Sequence, residues 1–194
     1  GYTGGDVYPY ACHHNPFIFF TDVLDSHTLQ QDLVPFSHFA GDLANGRLPQ
    51  FSFVVPNLLN DAHDGTLGRA DNWLQQNISP LLNNQAFLND GLLIIVFDES
   101  NAGDDRNGGG RIATIIASPN AKAGYTSTTF YQHQSTLRLI LEALGISTFP
   151  GLSASAPDTA EFFTTGQGCL PSAPGGKRCA PAAHGHNRCP LTTI

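Results

Sequence analysis

The chain has 194 residues, enough for one domain with a core of its own. Nine Lys and Arg stand against 16 Asp and Glu, a formal net charge of -7, which argues against nucleic acid as a partner. A phosphorylated small molecule stays open, because a bound divalent cation reverses the local potential of an acidic site.

The first feature along the chain is Cys12-His13-His14-Asn15-Pro16-Phe17, an adjacent His pair leading into an aromatic run that ends at Phe20. On an extended segment neighbouring side chains point to opposite faces, so one His of the pair reaches a given site, and His14 is favoured. Phe36, Phe39, Ala40 and Leu43 then follow helical spacing, with Pro35 at the start and Gly46 at the end. A short apolar run at 51–55 reads as a buried strand and opens directly into Pro56-Asn57-Leu58-Leu59-Asn60-Asp61-Ala62-His63-Asp64-Gly65. That loop crowds acids, amides and an imidazole: His63 and Asp61 are candidates to hold a metal or place a proton beside a leaving group. The competing reading is a set of Asx-turns that bond only their own backbone.

Leu74, Ile78, Leu81 and Leu82 mark a second helix, with Asp71 suited to its N-terminus. The all-apolar run 92–97 is a second strand, and it ends on Asp98-Glu99-Ser100. Consecutive carboxylates at the exit of a buried strand must be hydrated, paired or bound to a cation, and a divalent metal ion satisfies both at once. Next comes Asp104-Asp105-Arg106-Asn107-Gly108-Gly109-Gly110-Arg111, read as a mobile polar loop since no P-loop Lys follows its glycines. A third strand at 112–117 precedes His133 and a helix carried by Leu137, Ile140, Leu141 and Leu144, closed at Gly145. Strands alternating with helices predict an α/β sandwich with a mainly parallel central sheet and the chemistry in loops after the strands.

Beyond 151 the pattern decays, and residues 167–194 form a Gly- and Pro-rich tail in which Cys169, Cys179 and Cys189 stand ten residues apart. Disulfides suit that spacing better than a zinc knuckle, and they fit a secreted, extracellular or periplasmic protein, as does a charged fraction of only 13%. No stretch reaches the roughly 18 to 20 apolar residues of a membrane span. The sequence starts at Gly1 with no charged-then-apolar leader, so a signal peptide is expected to have been removed or left out.

The order of the motifs from Tyr10 to Gly145 resembles the phosphoesterase family that holds bacterial phospholipase C and acid phosphatase, within the alkaline phosphatase superfamily. The motifs are Tyr10-Ala11-Cys12-His13-His14-Asn15-Pro16-Phe17, Leu48-Pro49-Gln50-Phe51-Ser52-Phe53-Val54-Val55-Pro56-Asn57, Asn60-Asp61-Ala62-His63-Asp64, Ile94-Ile95-Val96-Phe97-Asp98-Glu99 and Gly109-Gly110-Arg111. The resemblance implies an alkaline-phosphatase-like α/β/α sandwich, with residues 1–166 as the C-terminal portion of the catalytic domain. It implies a divalent metal held by Asp98 and Glu99, with His14, His63, His13 and Asp61 around the phosphate and His133 as a further candidate. It also implies a phosphate ester or phospholipid substrate. The family's N-terminal acid-amide pair and Ser or Thr nucleophile have no counterpart here, so the nucleophile is expected from an N-terminal half absent from this chain, which reads as a fragment or as one of two segments. The alternative is a non-catalytic extracellular binding or structural protein on the same scaffold. A sugar-binding module using Phe17, Phe20 and Trp73 as stacking platforms is a weaker third reading, since such aromatics usually pack in cores.

Overall fold

A computed structural model describes residues 5–101 and 103–164, and the backbone of 191–193. The chain divides into two compact units, Gly1–Asn84 with His184–Ile194 and Gln85–Ala183.

The first unit begins with 3₁₀ turns at Cys12–His14 and Pro16–Phe19, followed by two one-turn helices, α1 (Thr21–Leu24) and α2 (His27–Gln30). Asn15 makes the second turn possible, because its side-chain oxygen accepts the Phe17 N–H at 3.2 Å while Pro16 needs no partner. Buried Ile18, Val23 and Leu33 form the local core, with Cys12, Phe17 and Leu29 packed on it. The His pair therefore lies on a 3₁₀ turn, where the sequence suggested extended chain.

Pro35 leads into a 3₁₀ turn at Phe36–His38 and then α3 (Phe39–Ala44). The Phe36 ring stacks on Phe39 at 5.3 Å and lies 4.8 Å from Trp73 on α4 (Leu67–Asn77), so these aromatics hold helices together. Helix α4 starts at Thr66, whose hydroxyl accepts the Arg69 N–H at 3.2 Å, and not at Asp71. It gives way to a 3₁₀ turn at Ser79–Asn83 where Pro80 removes a backbone donor. Strand β1 (Phe51–Phe53) is shorter than the apolar run that predicted it.

The second unit holds α5 (Gln85–Asp90), strands β2 (Leu93–Val96) and β3 (Thr114–Ala117), and α6 (His133–Ala143). Strands β2 and β3 run antiparallel, in a register that opposes Leu93 to Ala117 and Val96 to Thr114. Strand β1 pairs instead, in parallel, with β4 (Leu191–Thr193). The expected central parallel sheet is thus corrected: the described residues form a mixed α/β fold with two separate two-stranded pairs. Parallel neighbours need a crossover, usually a helix, and the Gly-rich connection 97–113 supplies none. Antiparallel pairing places the exit of β2 and the entry of β3 side by side, so the polar loop between them closes on itself.

Leu139, Ser135 and Ser153 are the most deeply buried residues of this unit. Arg138 ties α6 to the chain after it, donating to Glu142 Oε1 at 2.8 Å and to the Ala156 carbonyl at 2.7 Å. No helix among the described residues is long and apolar enough to cross a membrane. The tail cysteines Cys169, Cys179 and Cys189, and the disulfides expected of them, lie outside the described residues; Cys12 carries a free thiol.

Candidate functional site

In the first unit the site is built by the loop after β1. Asn57 Oδ1 accepts the Leu59 N–H at 3.2 Å and the Asn60 amide at 2.8 Å, and Asn60 in turn accepts from Arg69 Nε at 3.1 Å. The amides of Asp64 and Gly65 donate to the Leu58 carbonyl at 2.8 and 3.2 Å, curling the chain tightly. Gly65 is required there: a Cβ would lie 2.1 Å from the Leu59 carbonyl oxygen, well inside contact distance. Leu58 N–H donates to the Pro9 carbonyl at 3.0 Å, which anchors the loop to the segment that leads into the His pair.

Asp61 is the hinge of this arrangement. Its Oδ1 accepts the His63 backbone N–H at 2.8 Å, an Asx-turn, while its Oδ2 stands 3.4 Å from His14 Nδ1. Ala62, between the two, takes the left-handed conformation at φ 70°, which a residue with a Cβ adopts only at a cost. The His14 and His63 rings meet edge-on with centroids 6.0 Å apart, and His63 Nδ1 donates to Asp64 Oδ1 at 2.8 Å. His14 and Asp61 are the sheltered pair, with side chains 25% and 17% exposed. His13 turns away to Asp6, at 3.4 Å, with both side chains more than half exposed. The structure therefore joins His14, Asp61 and His63 and leaves His13 beside them with another partner.

In the second unit, Asp98 and Glu99 sit exposed at the exit of β2. Asp98 Oδ1 accepts the Glu99 N–H at 2.9 Å, while the Glu99 carboxylate has no hydrogen-bond or ion-pair partner among the described residues. His133, at the first position of α6, lies 2.6 Å from the Asp98 carbonyl through Nε2. A carbonyl only accepts, so the proton is on Nε2. Sequence reasoning did not connect His133 to the carboxylate pair; they are 35 residues apart and only the packing of α6 brings them together.

The segment after residue 103 is tied together by Asp104, whose carboxylate accepts from Arg106 Nε at 2.7 Å and Nη2 at 2.8 Å. The Arg106 side chain, with the Arg106 and Arg111 backbone N–H groups, holds that carboxyl well below the usual carboxylate range. A shallow polar cleft of about 270 Å³ borders Glu99, Asn101, Asp104 and Asp105. An apolar cleft of about 440 Å³ in the first unit, around Phe36, Phe39 and Leu43, contains none of the candidate residues.

As ligands, Asp98 and Glu99 offer the hard oxygen atoms that Mg²⁺, Ca²⁺ or Mn²⁺ prefer. They fit such an ion in type and fall short in number: among the described residues no group of three His, Cys, Asp or Glu side chains is placed to hold one. An ion bound there would need further ligands.

A further carboxylate escaped sequence reasoning. Glu161 accepts from Tyr125 and Tyr131 hydroxyls at 2.5 Å each and from Ser127 Oγ at 2.6 Å, and its carbonyl accepts from Lys122 Nζ at 2.8 Å. Hydrogen bonds from Ser127, Tyr125 and Tyr131 lower its carboxyl to about 2. Partners some 30 residues away leave no local pattern, so only the fold reveals this staple.

The sequence model of the Phosphoesterase family matches residues 4–147, a stretch that contains every candidate residue above. Among curated proteins, an acid phosphatase of Aspergillus fumigatus is 34% identical over 143 residues, 72% of this chain and 31% of that protein. A phosphate-repressible acid phosphatase of Penicillium chrysogenum is 37% identical over 129 residues, 65% of this chain and 31% of its own length. A phosphatidylinositol-3-phosphatase of Mycobacterium tuberculosis is 31% identical over 154 residues, 79% of this chain and 48% of its own length. The chain thus spans under a third of either fungal protein. No solved structure matches it.

Proposed function

The chain belongs to the phosphoesterase family, and from that premise we propose that it forms part of a secreted, metal-dependent hydrolase of phosphate esters. The observation that carries the reading is the sheltered His14–Asp61 pair, on a loop inside the matched stretch and built around one carboxylate. In this reading Asp61 orients His14 through Nδ1, so that Nε2 is the ring atom offered to the ester. A Ser or Thr hydroxyl from the rest of the full-length protein attacks phosphorus, its proton passing to solvent as the bond to the ester oxygen breaks. That oxygen takes the His14 Nε2 proton and leaves as the alcohol. Water then attacks the phosphoenzyme and gives His14 a proton, and the Ser or Thr oxygen takes a proton from solvent as phosphate departs. In the same reading His63, fixed by Asp61 and Asp64, bonds a phosphoryl oxygen.

Asp98 and Glu99 would hold the divalent ion, which supplies positive charge against the phosphoryl oxygens. His133 fixes the backbone of that pair through the Asp98 carbonyl and takes no part in proton transfer. The names of the relatives support a phosphomonoester, with a phosphoinositide as the lipid variant. The low charged fraction supports an extracellular or periplasmic setting.

A non-catalytic binding protein is the second reading, favoured by the shortage of metal ligands among the described residues. The test is metal content together with hydrolysis of p-nitrophenyl phosphate and of a phosphocholine ester by the full-length protein. An Asp98→Ala, Glu99→Ala variant and a His14→Ala variant are measured beside it. The hydrolase reading requires bound metal lost in the first variant and turnover lost in both. A folded wild type with neither metal nor turnover leaves only the binding role.

A further inference from the structure

The segment 104–111, expected from its glycines to be a mobile loop, is cross-braced. Asp104 Oδ1 accepts from Arg106 N at 3.2 Å and Nε at 2.7 Å, and Oδ2 accepts from Arg106 Nη2 at 2.8 Å and Arg111 N at 3.2 Å. The braces reach the residue after Glu99: Ser100 Oγ donates to the Asp104 carbonyl at 2.8 Å and Ser100 N–H to the Gly109 carbonyl at 2.8 Å. Gly110 closes the ring at φ 73°, where a Cβ would lie 2.1 Å from Ser100 Oγ and 2.3 Å from the Asp104 carbonyl oxygen. On the other side, Gln132 Nε2 donates to the Asn107 carbonyl at 3.2 Å and His133 Nε2 to that of Asp98 at 2.6 Å. The carboxylate pair is thus pinned at its first residue and just after its second.

Nothing in this bracing is needed to close a hairpin. A polar connection tolerates disorder at little cost, since loop-closure entropy grows only slowly with length. What bracing secures is the position of one short segment. It also settles a charge question: the Arg106 fork is matched to Asp104, so the cation nearest the pair in sequence does not neutralise it.

We infer that Asp104, with Arg106 and Gly110, forms a positioning clamp that sets Asp98 and Glu99 for a divalent cation. The inference rests on the reading of that pair as metal ligands. Asp104 touches neither substrate nor ion in this account; it acts through Ser100 and the backbone of the loop. Groups that orient metal ligands typically contribute about ten- to a hundredfold in affinity.

The experiment measures Mn²⁺ affinity by calorimetry on the full-length protein and on Asp104→Asn, Arg106→Lys and Gly110→Ala. Amide exchange across 99–111 without metal, melting temperature, and kcat and KM with p-nitrophenyl phosphate accompany it. Asp104→Asn is expected to weaken Mn²⁺ by about tenfold or more, to speed exchange at the Ser100 and Arg111 amides, and to lower kcat more than it changes KM. Arg106→Lys keeps the charge but loses the fork, and should fall between wild type and Asp104→Asn. Gly110→Ala, which strikes the ring from the opposite side, should reproduce the loss if Asp104→Asn does not fold. Faster loop exchange with Mn²⁺ affinity unchanged in the variants overturns the clamp while leaving the metal reading intact. A wild type that binds no Mn²⁺ overturns the metal reading, and the clamp with it.

Discussion

Two carboxylate centres of the second unit solve opposite problems. Glu161 gathers hydroxyl groups from Tyr125, Ser127 and Tyr131, so that the segment around it is stapled to residues 120–131. Glu99 stands at the exit of β2 with no hydrogen-bond or ion-pair partner for its carboxylate among the described residues, although the backbone on either side is held by Ser100 and His133. A carboxylate that collects donors is spending its charge on the fold. In the proposed reading, one whose backbone is fixed while its oxygen atoms stay open is held for a cation.

Exchanging the two roles gives the largest expected effect. Asp98→Ala with Glu99→Ala should lower phosphomonoester turnover by about a thousandfold, the scale of losing the main charge stabilisation of a transition state, with little change in melting temperature. Glu161→Ala should do the reverse: the melting temperature falls by several degrees, since Tyr125, Ser127 and Tyr131 lose their acceptor, and turnover per folded molecule stays near wild type. Calorimetry and steady-state kinetics on both variants decide it. Loss of turnover in the Glu161 variant at full folding would collapse the distinction.

The first unit shows why the sequence carried part of this and not the rest. The loop 56–65 admitted two readings, a set of Asx-turns or a catalytic loop, and the structure contains the turns: Asn57 and Asp61 each cap a backbone amide two residues on. They are the means by which His63 and His14 are brought to one carboxylate, so local turn chemistry and a candidate site coincide. Amphipathic spacing located α3 and α6 because helical burial is periodic and local, but its second helix caught only the end of α4 and the 3₁₀ turn that follows. The sheet was misjudged because strand partners are chosen by tertiary packing, and an apolar run looks alike in parallel and antiparallel pairs. The connection 97–113 held the missing signal: without helical period it could not serve as a crossover. The clamp at Asp104 and the contact of His133 with Asp98 depend on side-chain geometry after folding, and no spacing rule reports them.

Gly65→Ala sharpens the contrast in that loop. A Cβ aimed at the Leu59 carbonyl oxygen forces the backbone apart, and overpacking of this kind costs about 1–3 kcal/mol. Because the same turn sets Asp61, turnover should fall along with stability, whereas damage to the Glu161 staple touches stability alone. Thermal melts and kcat measured on one preparation separate the two patterns.

The pH dependence of the staple follows from its direction of shift. Glu161 falls from an ordinary 4.5 to about 2 through its bonds from Ser127, Tyr125 and Tyr131. A depressed carboxyl favours the folded state above its unfolded pKa, so this contribution is complete above about pH 4.5 and is lost as pH falls through about 2. Tyr131, raised to about 12 by burial first and by Glu161 second, favours folding below its ordinary 10 and loses that effect as pH rises through about 12. The gap in melting temperature between wild type and Glu161→Gln should therefore be level from pH 5 to 8 and close toward pH 2. A gap that widens in acid would mean that the hydroxyls do not stabilise the ionised form.

The smallest effect belongs to Ala62, and it tests whether the strained residue between Asp61 and His63 serves the site. A left-handed backbone costs a residue with a Cβ about 1 kcal/mol, a cost glycine does not bear. Ala62→Gly removes that strain and also frees the unfolded chain, two effects of opposite sign on stability. The net change in melting temperature should be within about 2 °C, given that about 1 kcal/mol moves a domain of this size by a few degrees. Turnover carries the information. If Ala62 only tolerates its conformation, the glycine variant works as well as wild type. If its Cβ limits the range over which Asp61 and His63 can swing, kcat falls by a fewfold while the melt hardly moves, and the strain is then a cost the fold bears to hold the Asp61 carboxylate between His14 and the His63 backbone.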